Sequence, residues 1–177
     1  MRYLIVSDTH GRHLLLREVL EATGPIDGLI HLGDSEIKQE DIQMMVGNET
    51  KIYLVKGNRD HDDQLDLDQL IEIAGKKIFL THGHRYKVDG GTKLLEAKGK
   101  SLGADVVMYG HTHCPDERII DELQIINPGS LSRPRQKNGI PTYILLEVDQ
   151  DHQFHWTIVE REKKNFRLII KVRFCVV

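Results

Sequence analysis

The amino-acid sequence predicts an α/β fold in which two mixed β-sheets pack face to face and helices flank them. In the first half of the chain, short apolar runs alternate with segments of helical periodicity, and this order implies parallel strands joined by right-handed crossovers. In the second half, apolar runs are separated by short polar turns, which is typical of antiparallel hairpins. Two packed sheets with helices outside accommodate both patterns.

Five short apolar runs bounded by polar residues or glycine are predicted to be buried strands. They are Tyr3–Val6, Leu29–Leu32, Ile52–Val55, Ile78–Leu80 and Val106–Tyr109. Between the first three, helices are predicted over His13–Thr23, which ends at Gly24-Pro25, and from about Glu40 to Val46. The first half of the chain is therefore an alternation of strands and helices.

The second half of the chain is predicted to contain three hairpins and one helix. The hairpins pair Ile71–Ala74 with Lys77–Thr81 around Gly75-Lys76, Arg118–Ile120 with Leu123–Ile126, and Thr142–Val148 with Phe154–Val159. The helix covers Thr92–Leu102. We expect one domain over residues 1–165, followed by a tail, residues 166–177, that is either a further strand or a disordered end. As a strand, the tail would offer an edge for a homodimer.

The composition is that of a soluble globular protein. Of the 177 residues, 40% are hydrophobic and 29% are charged, and the net charge of -3 gives no basic field for strong nucleic-acid binding. No apolar stretch approaches the roughly 20 residues of a membrane helix, and a strand follows Met1 directly, so we expect no membrane association and a cytoplasmic location. Cys114 and Cys175 are expected to be reduced thiols.

Seven side chains that can bind a metal ion lie just after the five predicted strands. They are Asp8, His10, Asp34, Asn58, His82, His111 and His113. Because strands of an open α/β sheet present ligands at their carboxyl ends, these carboxylate, imidazole and carboxamide groups should lie together and suit hard or borderline cations. Each residue alone also fits a local role, such as a helix cap at Asp8 or a turn at Asp34. The combination predicts a metal centre and favours two ions.

Two histidine pairs strengthen this interpretation. Thr81-His82-Gly83-His84 and Gly110-His111-Thr112-His113 each follow an apolar strand. Strand periodicity predicts that both histidines of a pair face the same side, unless the glycine breaks the geometry. Three of the five strand ends also carry a glycine directly before the candidate ligand.

The order of the motifs along the chain resembles that of the calcineurin-like metallophosphoesterases. The matching blocks are Asp8-Thr9-His10, Gly33-Asp34, Gly57-Asn58-Arg59-Asp60, Thr81-His82-Gly83-His84 and Gly110-His111-Thr112-His113. The short length and the segment Asn127-Pro128-Gly129-Ser130, followed by Arg133-Pro134-Arg135, look like the family's small bacterial and archaeal phosphodiesterase subgroup. The resemblance implies an α/β/β/α sandwich, in agreement with the fold class above.

The resemblance also implies a dinuclear centre that hydrolyses a small-molecule phosphodiester. One metal would lie between Asp8, His10, Asp34 and His113, and the other between Asp34, Asn58, His82 and His111, with Asp34 as the bridge. Manganese is favoured, while iron, zinc or nickel also suit such nitrogen and oxygen ligands. Two ions about 3.5 to 4 Å apart would acidify a bridging water, and the resulting hydroxide would attack phosphorus directly.

Arg59 departs from the family pattern, in which His or Cys follows the Asn of this block. Arginine stays protonated and cannot act as a general acid, so our hypothesis is that Arg59 clamps a phosphate oxygen and that diesters with good leaving groups are preferred. A surface salt bridge with Asp60 or Asp62 is the other interpretation. We expect His84 either to contact the substrate or to contact a residue that binds a metal.

Asn127, Ser130, Arg133 and Arg135 lie in a loop that the resemblance brings near the metals, where arginines recognise phosphate through paired hydrogen bonds. A structural turn at Pro128-Gly129 explains the same residues equally well.

Two other functions are compatible with this fold. A phosphomonoesterase or nucleotide phosphatase would use the same metals, whereas a protein-binding scaffold, such as a eukaryotic retromer subunit with degenerate metal positions, would not need the complete ligand set found here.

Overall fold

The computed structural model describes residues 1–161 and 166–168, which contain eleven strands and three α-helices. The strands are β1 (Arg2–Val6), β2 (Gly28–His31), β3 (Lys51–Leu54), β4 (Asp68–Ile73), β5 (Lys76–Thr81), β6 (Val106–Met108), β7 (Pro115–Ile120), β8 (Leu123–Pro128), β9 (Thr142–Val148), β10 (Phe154–Arg161) and β11 (Phe166–Leu168). The helices are α1 (His13–Thr23), α2 (Gln39–Val46) and α3 (Lys93–Ser101), and two short 3-10 turns cover His84–Tyr86 and Val88–Gly90.

The strands form two mixed sheets, which confirms the predicted fold class. The first sheet has the order β11-β10-β9-β1-β2-β3, in which β1, β2 and β3 are parallel and β9, β10 and β11 run antiparallel to their neighbours. The second has the order β4-β5-β6-β8-β7, in which β5, β6 and β8 are parallel and the outer strands are antiparallel. Each sheet thus has a group of parallel strands whose carboxyl ends share an edge.

Apolar side chains fill the space between the sheets and the space beneath the helices. Ile5 of the first sheet and Ile78 of the second belong to one buried cluster between the sheets. Leu4, the neighbour of Ile5, packs instead with Leu16 of α1, because successive side chains of a strand point to opposite faces. Burial on both faces explains why β1, β2 and β6 read as continuous apolar runs.

The first predicted hairpin differs from its prediction by one residue. β4 ends at Ile73 and β5 begins at Lys76, so the turn is Ala74-Gly75 rather than Gly75-Lys76. Both turn residues have positive φ angles, 50° and 83°, as a type I′ hairpin requires. Alanine is uncommon in this conformation, which is why the sequence favoured the wrong pair.

The beginning of the predicted tail extends the first sheet. β11 lies antiparallel to β10, with Leu168 opposite Val159. Residues 169–177, which include Cys175, lie outside the described residues, so the state of that segment stays a prediction. Among the helices of the described residues, none has the length and apolar character that a membrane crossing requires.

Candidate metal centre

The predicted ligands lie in the loops at the carboxyl ends of parallel strands. Asp8 and His10 follow β1, Asp34 follows β2, Asn58 follows β3, His82 follows β5, and His111 and His113 follow β6. In the first sheet, backbone pairing continues into these loops. The Asp8 amide donates to the Gly33 carbonyl, and the His10 amide donates to the Asp34 carbonyl, both at 3.0 Å. The sheet itself therefore sets the position of these two loops.

Five of the seven predicted ligands have a left-handed backbone. Their φ angles are 55° at Asp8, 47° at His10, 51° at Asp34, 68° at His111 and 59° at His113. For residues other than glycine this conformation is uncommon, costs of order 1–3 kcal/mol each, and clusters at functional sites. Such a concentration in one place points to a site where function, rather than folding alone, requires the geometry.

The two histidines of each pair differ in burial, because neither pair continues the strand that precedes it. Gly83 has a φ of 100° and turns the chain, so His82 is fully buried whereas His84 begins a 3-10 turn and is partly exposed. His113 is buried and His111 is partly exposed, because both lie in a left-handed loop rather than in a strand. Each pair contributes one buried imidazole and one at the rim.

Asp8, His10 and His113 form a tight group whose candidate ligand atoms all lie within 4.8 Å of one another. His113 Nε2 is 3.1 Å from Asp8 Oδ1 and 3.4 Å from His10 Nε2. His10 Nε2 is also 3.9 Å from Asp34 Oδ2. All four side chains are buried, so any cation bound among them would be largely removed from water.

A second tight group, within the same 4.8 Å limit, consists of Asp8, Asp34 and His82. His82 Nε2 is 3.5 Å from Asp34 Oδ1 and 3.2 Å from the amide oxygen of Asn58. The Asp34 carboxylate therefore faces both groups, with Oδ2 toward His10 and Oδ1 toward His82.

His111 and Asn58 lie at the open side of the second group. The ring centroids of His111 and His82 are 5.1 Å apart. His111 Nε2 is 2.9 Å from the Asp89 carboxylate, so the nitrogen that stays available to a cation is Nδ1. Asn58 is exposed. The structure brings these two residues to the rim and the other five into the interior of the site.

The hydrogen bonds of the buried histidines leave their lone pairs facing the site. His82 Nδ1 donates to the Leu32 carbonyl at 2.7 Å, and His113 Nδ1 donates to the Arg133 carbonyl at 2.6 Å. Because a carbonyl can only accept, each Nδ1 carries a proton and each Nε2 presents its lone pair. Asp8 Oδ1, which is buried and has no hydrogen-bond partner, faces the same space. These converging donor atoms fit a divalent metal.

Asp8 and His113 influence each other's protonation. Burial raises the pKa of Asp8, but its contacts with His113 and the charge of His82 outweigh burial and lower the pKa overall. Burial lowers the pKa of His113, but the Asp8 carboxylate outweighs it and raises the pKa. A proton on His113 thus competes with a cation for the same space, and metal binding would release that proton.

Three glycines that directly precede predicted ligands allow the loops to approach closely. They are Gly33, Gly57 and Gly110. A Cβ at Gly57 would lie 2.1 Å from Asp34 Oδ1, and a Cβ at Gly110 would lie 2.0 Å from Ser7 Oγ. A side chain at either position would therefore separate loops that carry ligands. The recurring glycines in the sequence have this physical origin.

Arg59 lies at the rim of the site. Its backbone amide donates to Asp34 Oδ1 at 2.8 Å, and its side chain is exposed. The salt bridge considered from the sequence is not formed in the described residues. Asp60 and Asp62 instead accept hydrogen bonds from backbone amides. The guanidinium group of Arg59 is therefore available to an anion.

His84 lies beside the buried histidine of its pair. Its ring centroid is 5.4 Å from that of His82 and 6.2 Å from that of His111. Burial and these two neighbouring imidazoles lower the pKa of His84, which favours the neutral ring. His84 Nδ1 is buried and has no hydrogen-bond partner.

Asn127 and Ser130 form hydrogen bonds with the backbone of the loops that carry the predicted ligands. Both side chains are fully buried. Asn127 Nδ2 donates to the Gly110 carbonyl at 3.0 Å and to Thr112 Oγ1 at 3.1 Å, and Ser130 Oγ donates to the Asp8 carbonyl at 2.9 Å. The structure therefore does not bring either side chain to the surface of the site, where the sequence analysis expected substrate contacts.

Arg133 and Arg135 flank His113. The Arg133 carbonyl accepts the hydrogen bond of the His113 ring, and the Arg135 amide donates to the His113 carbonyl at 3.0 Å. Both arginines are exposed. Their backbones thus fix a predicted ligand, and their guanidinium groups add positive charge at the rim.

The unpredicted side chains that contact predicted ligands or their loops include the following four. Ser7 donates to Asp8, Glu36 faces His10, Asp60 joins the loops after β2 and β3, and Asp89 faces His111. Three of them lie within two residues of a predicted ligand. Nothing else in the sequence distinguishes them from ordinary polar loop residues.

Comparison with known proteins gives a consistent result. Residues 1–151 match the model of the calcineurin-like phosphoesterase superfamily domain. A probable metallophosphoesterase of Mycoplasma pneumoniae is 35% identical over 162 residues, which are 88% of this chain and 97% of the relative. A phosphodiesterase of Methanocaldococcus jannaschii is 32% identical over 168 residues, which are 85% and 95% of the two chains.

A solved structure shows the same fold at lower sequence identity. Vps29 of Entamoeba histolytica, crystallised with zinc, has a TM-score of 0.78 and 24% identity, and the match covers 96% of this chain and 97% of that one. At this identity the likeness concerns the arrangement of sheets and helices alone.

Proposed function

This chain belongs to the calcineurin-like phosphoesterase superfamily, and from that membership we propose that it is a phosphodiesterase that depends on two divalent metal ions. The proposed reaction is the direct attack of hydroxide on the phosphorus of a small-molecule phosphodiester, without a covalent phosphoenzyme. Two bound cations would supply the Lewis acidity that lowers the pKa of water and neutralises the phosphoryl oxygens.

The observation that carries the proposal is the position of the Asp34 carboxylate between two groups of ligand atoms. Its two oxygens face His10 and His82, which belong to different groups. We assign one metal to Asp8, His10, Asp34 and His113, and the other to Asp34, Asn58, His82 and His111. The nitrogen and oxygen donors accept manganese, iron, zinc or nickel, and we favour manganese because of the resemblance to the family.

The rim residues suit the binding of an anionic diester. We propose that the exposed guanidinium groups of Arg59, Arg133 and Arg135 contact phosphate oxygens and that His84, whose neutral ring lies beside His82, contacts the leaving group. For Asn127 and Ser130, burial supports a role in holding the ligand loops instead of a substrate contact. The cytoplasmic location and the homodimer expected from the sequence stay predictions.

The first test measures hydrolysis of bis(p-nitrophenyl) phosphate and of p-nitrophenyl phosphate. The protein is stripped with a chelator and then supplied with manganese, and Asp34→Asn is compared with Asp151→Asn, an exposed aspartate far from the ligand loops in sequence. We expect manganese-dependent turnover of the diester and a loss of at least about 100-fold in Asp34→Asn, because the metal contribution amounts to several kcal/mol. Asp151→Asn should keep the activity of the wild type.

Two outcomes would contradict this proposal. Preferred cleavage of the monoester would indicate a phosphomonoesterase or nucleotide phosphatase on the same site. No cleavage of either ester with any divalent metal would favour a protein-binding scaffold of this fold.

A further inference from the structure

We infer that Glu36 is a positioning residue of the metal centre: its carboxylate accepts the proton of His10 Nδ1 and thereby aims the lone pair of His10 Nε2 at the metal. This inference rests on the proposed function. Glu36 Oε1 lies 2.8 Å from His10 Nδ1, and the His10 side chain is buried whereas that of Glu36 is one-third exposed.

The geometry around His10 requires one tautomer. His10 Nε2 faces His113 Nε2 at 3.4 Å, Asp34 Oδ2 at 3.9 Å and Asp8 Oδ1 at 4.0 Å. Only a ring that carries its proton on Nδ1 leaves Nε2 free to bind a cation. An acceptor at Nδ1 selects that tautomer, and Glu36 is placed to do so.

Among the three imidazoles of the tight groups, His10 has a different kind of partner. His82 and His113 donate to backbone carbonyls. Glu36 offers a charged carboxylate, which raises the basicity of the ligated nitrogen more strongly than a carbonyl does. Of these three contacts, only the one at His10 is made by a side chain, so a substitution can remove it directly.

Asp60 holds Glu36 in place. Asp60 Oδ1 accepts from the Glu36 amide at 2.7 Å and from Ser35 Oγ at 3.1 Å, while Oδ2 accepts from the Gly57 amide at 2.8 Å. Glu36 itself has a φ of 52°, a conformation that needs such support. The Asp60 carboxylate is buried, and its bond to the Glu36 amide fixes the backbone from which the Glu36 side chain reaches His10.

The experiment compares Glu36→Ala, Glu36→Gln and the control Glu40→Gln. Glu40 is an exposed acid four residues further on, in the first turn of α2, so its substitution removes the same charge without touching His10. Two quantities are measured: the tautomer of His10 in metal-free protein, from long-range proton–nitrogen NMR correlations at about pH 8, where free imidazoles are neutral, and the Kd for manganese, from calorimetry.

We expect Glu36→Ala to mix the two His10 tautomers and to weaken manganese binding about 10- to 100-fold. Glu36→Gln keeps an acceptor oxygen but no charge, so it should keep the tautomer and weaken binding less. Glu40→Gln should match the wild type in both measurements. A tautomer preference and a Kd in Glu36→Ala equal to those of the wild type would overturn the inference.

The two readouts separate this inference from the proposed function. If the wild type does not bind manganese or any other divalent metal, the proposed function fails, while the tautomer of metal-free His10 still decides whether Glu36 orients the ring. If the wild type binds manganese and Glu36→Ala binds it equally well with an unchanged tautomer, the metal centre stands and the role of Glu36 fails.

Discussion

The loops of the first sheet and those of the second hold their ligands in different ways. The first sheet contributes both carboxylates, and its loops are joined by backbone hydrogen bonds, such as those from the amides of Asp8 and His10. The second sheet contributes imidazoles. Its two ligand loops also share a backbone hydrogen bond, from the Gly110 amide to the His82 carbonyl at 3.1 Å, and contacts outside these strands fix the side chains further. His82 donates to the Leu32 carbonyl of the first sheet, and the Gly110 loop depends on Asn127. Backbone pairing therefore positions the loops of both halves, and the imidazole half relies in addition on side-chain contacts with distant residues.

The largest expected difference between the halves concerns their glycines. A Cβ at Gly57 would lie 2.2 Å from the Asp34 backbone nitrogen, which cannot move without the sheet. A Cβ at Gly110 would lie 2.0 Å from Ser7 Oγ, which can rotate, and 2.9 Å from the Leu32 carbonyl oxygen, so its overlap with backbone is smaller. We expect Gly57→Ala to lower the free energy of unfolding by about 3 kcal/mol and Gly110→Ala by about 1 to 2 kcal/mol. Denaturant unfolding of metal-free protein measures both.

Gly90→Ala is the control for these substitutions. A Cβ there meets no atom within 4 Å, and its backbone does not have a positive φ. We expect no measurable loss of stability. Equal losses for Gly57→Ala and Gly110→Ala would contradict the view that the two halves differ in rigidity.

Asn127→Ala should loosen the imidazole half selectively. The substitution removes the side-chain bonds to the Gly110 carbonyl and to Thr112 Oγ1 and the bond from the Gly129 amide, while the Gly110 carbonyl keeps its bond from the Thr112 amide, so we expect a loss of about 2 kcal/mol of stability and weaker manganese binding. Asn138→Ala, in an exposed loop, is the control. Unchanged stability together with a raised KM would restore the substrate contact that the sequence analysis expected.

The smallest of the three expected effects is a loss of stability at acidic pH, and it involves His31 of β2 in the first sheet. Burial lowers the pKa of His31 from 6.5 to about 4, so the unfolded chain takes up a proton on this residue that the folded protein does not. The contribution of the neutral His31 ring to the free energy of unfolding is complete above pH 6.5 and is lost as the pH falls toward 4. We expect a loss of about 1.5 to 2 kcal/mol between pH 7 and 5.

His31→Gln tests this assignment because glutamine still bonds to Thr9 Oγ1, the partner of His31 Nε2 at 3.0 Å, but does not titrate. Stability should fall less steeply between pH 7 and 5 in this variant than in the wild type. Identical slopes in urea unfolding at several pH values would show that another group is responsible.

The strands that carry the site could be predicted because each contains a short continuous apolar run, which is buried on both faces in β1, β2 and β6. Tyr3–Val6 and Ile52–Val55, for example, agree with β1 and β3 within one residue at each end. The candidate ligands could be predicted because their positions follow those strands.

The supporting contacts could not be predicted in the same way. Glu36 and His10 are 26 residues apart in the sequence, and only the folded structure shows that their side chains are in contact. Asn127 and Ser130 are of residue types that are mostly exposed, so their full burial is not visible in the sequence. The left-handed backbone at Asp8 could not be predicted, because aspartate adopts this conformation at only a minority of its positions.

The site draws its ligands from both sheets, and His10 and His113, which lie 3.4 Å apart, are separated by 103 positions in the chain. A cation bound there would act as a cross-link between the two layers. At a free concentration 100 times its Kd, such a ligand adds about 2.7 kcal/mol to the stability of the fold. A shortage of the metal would then raise the unfolded fraction of the protein, which is the fraction open to degradation.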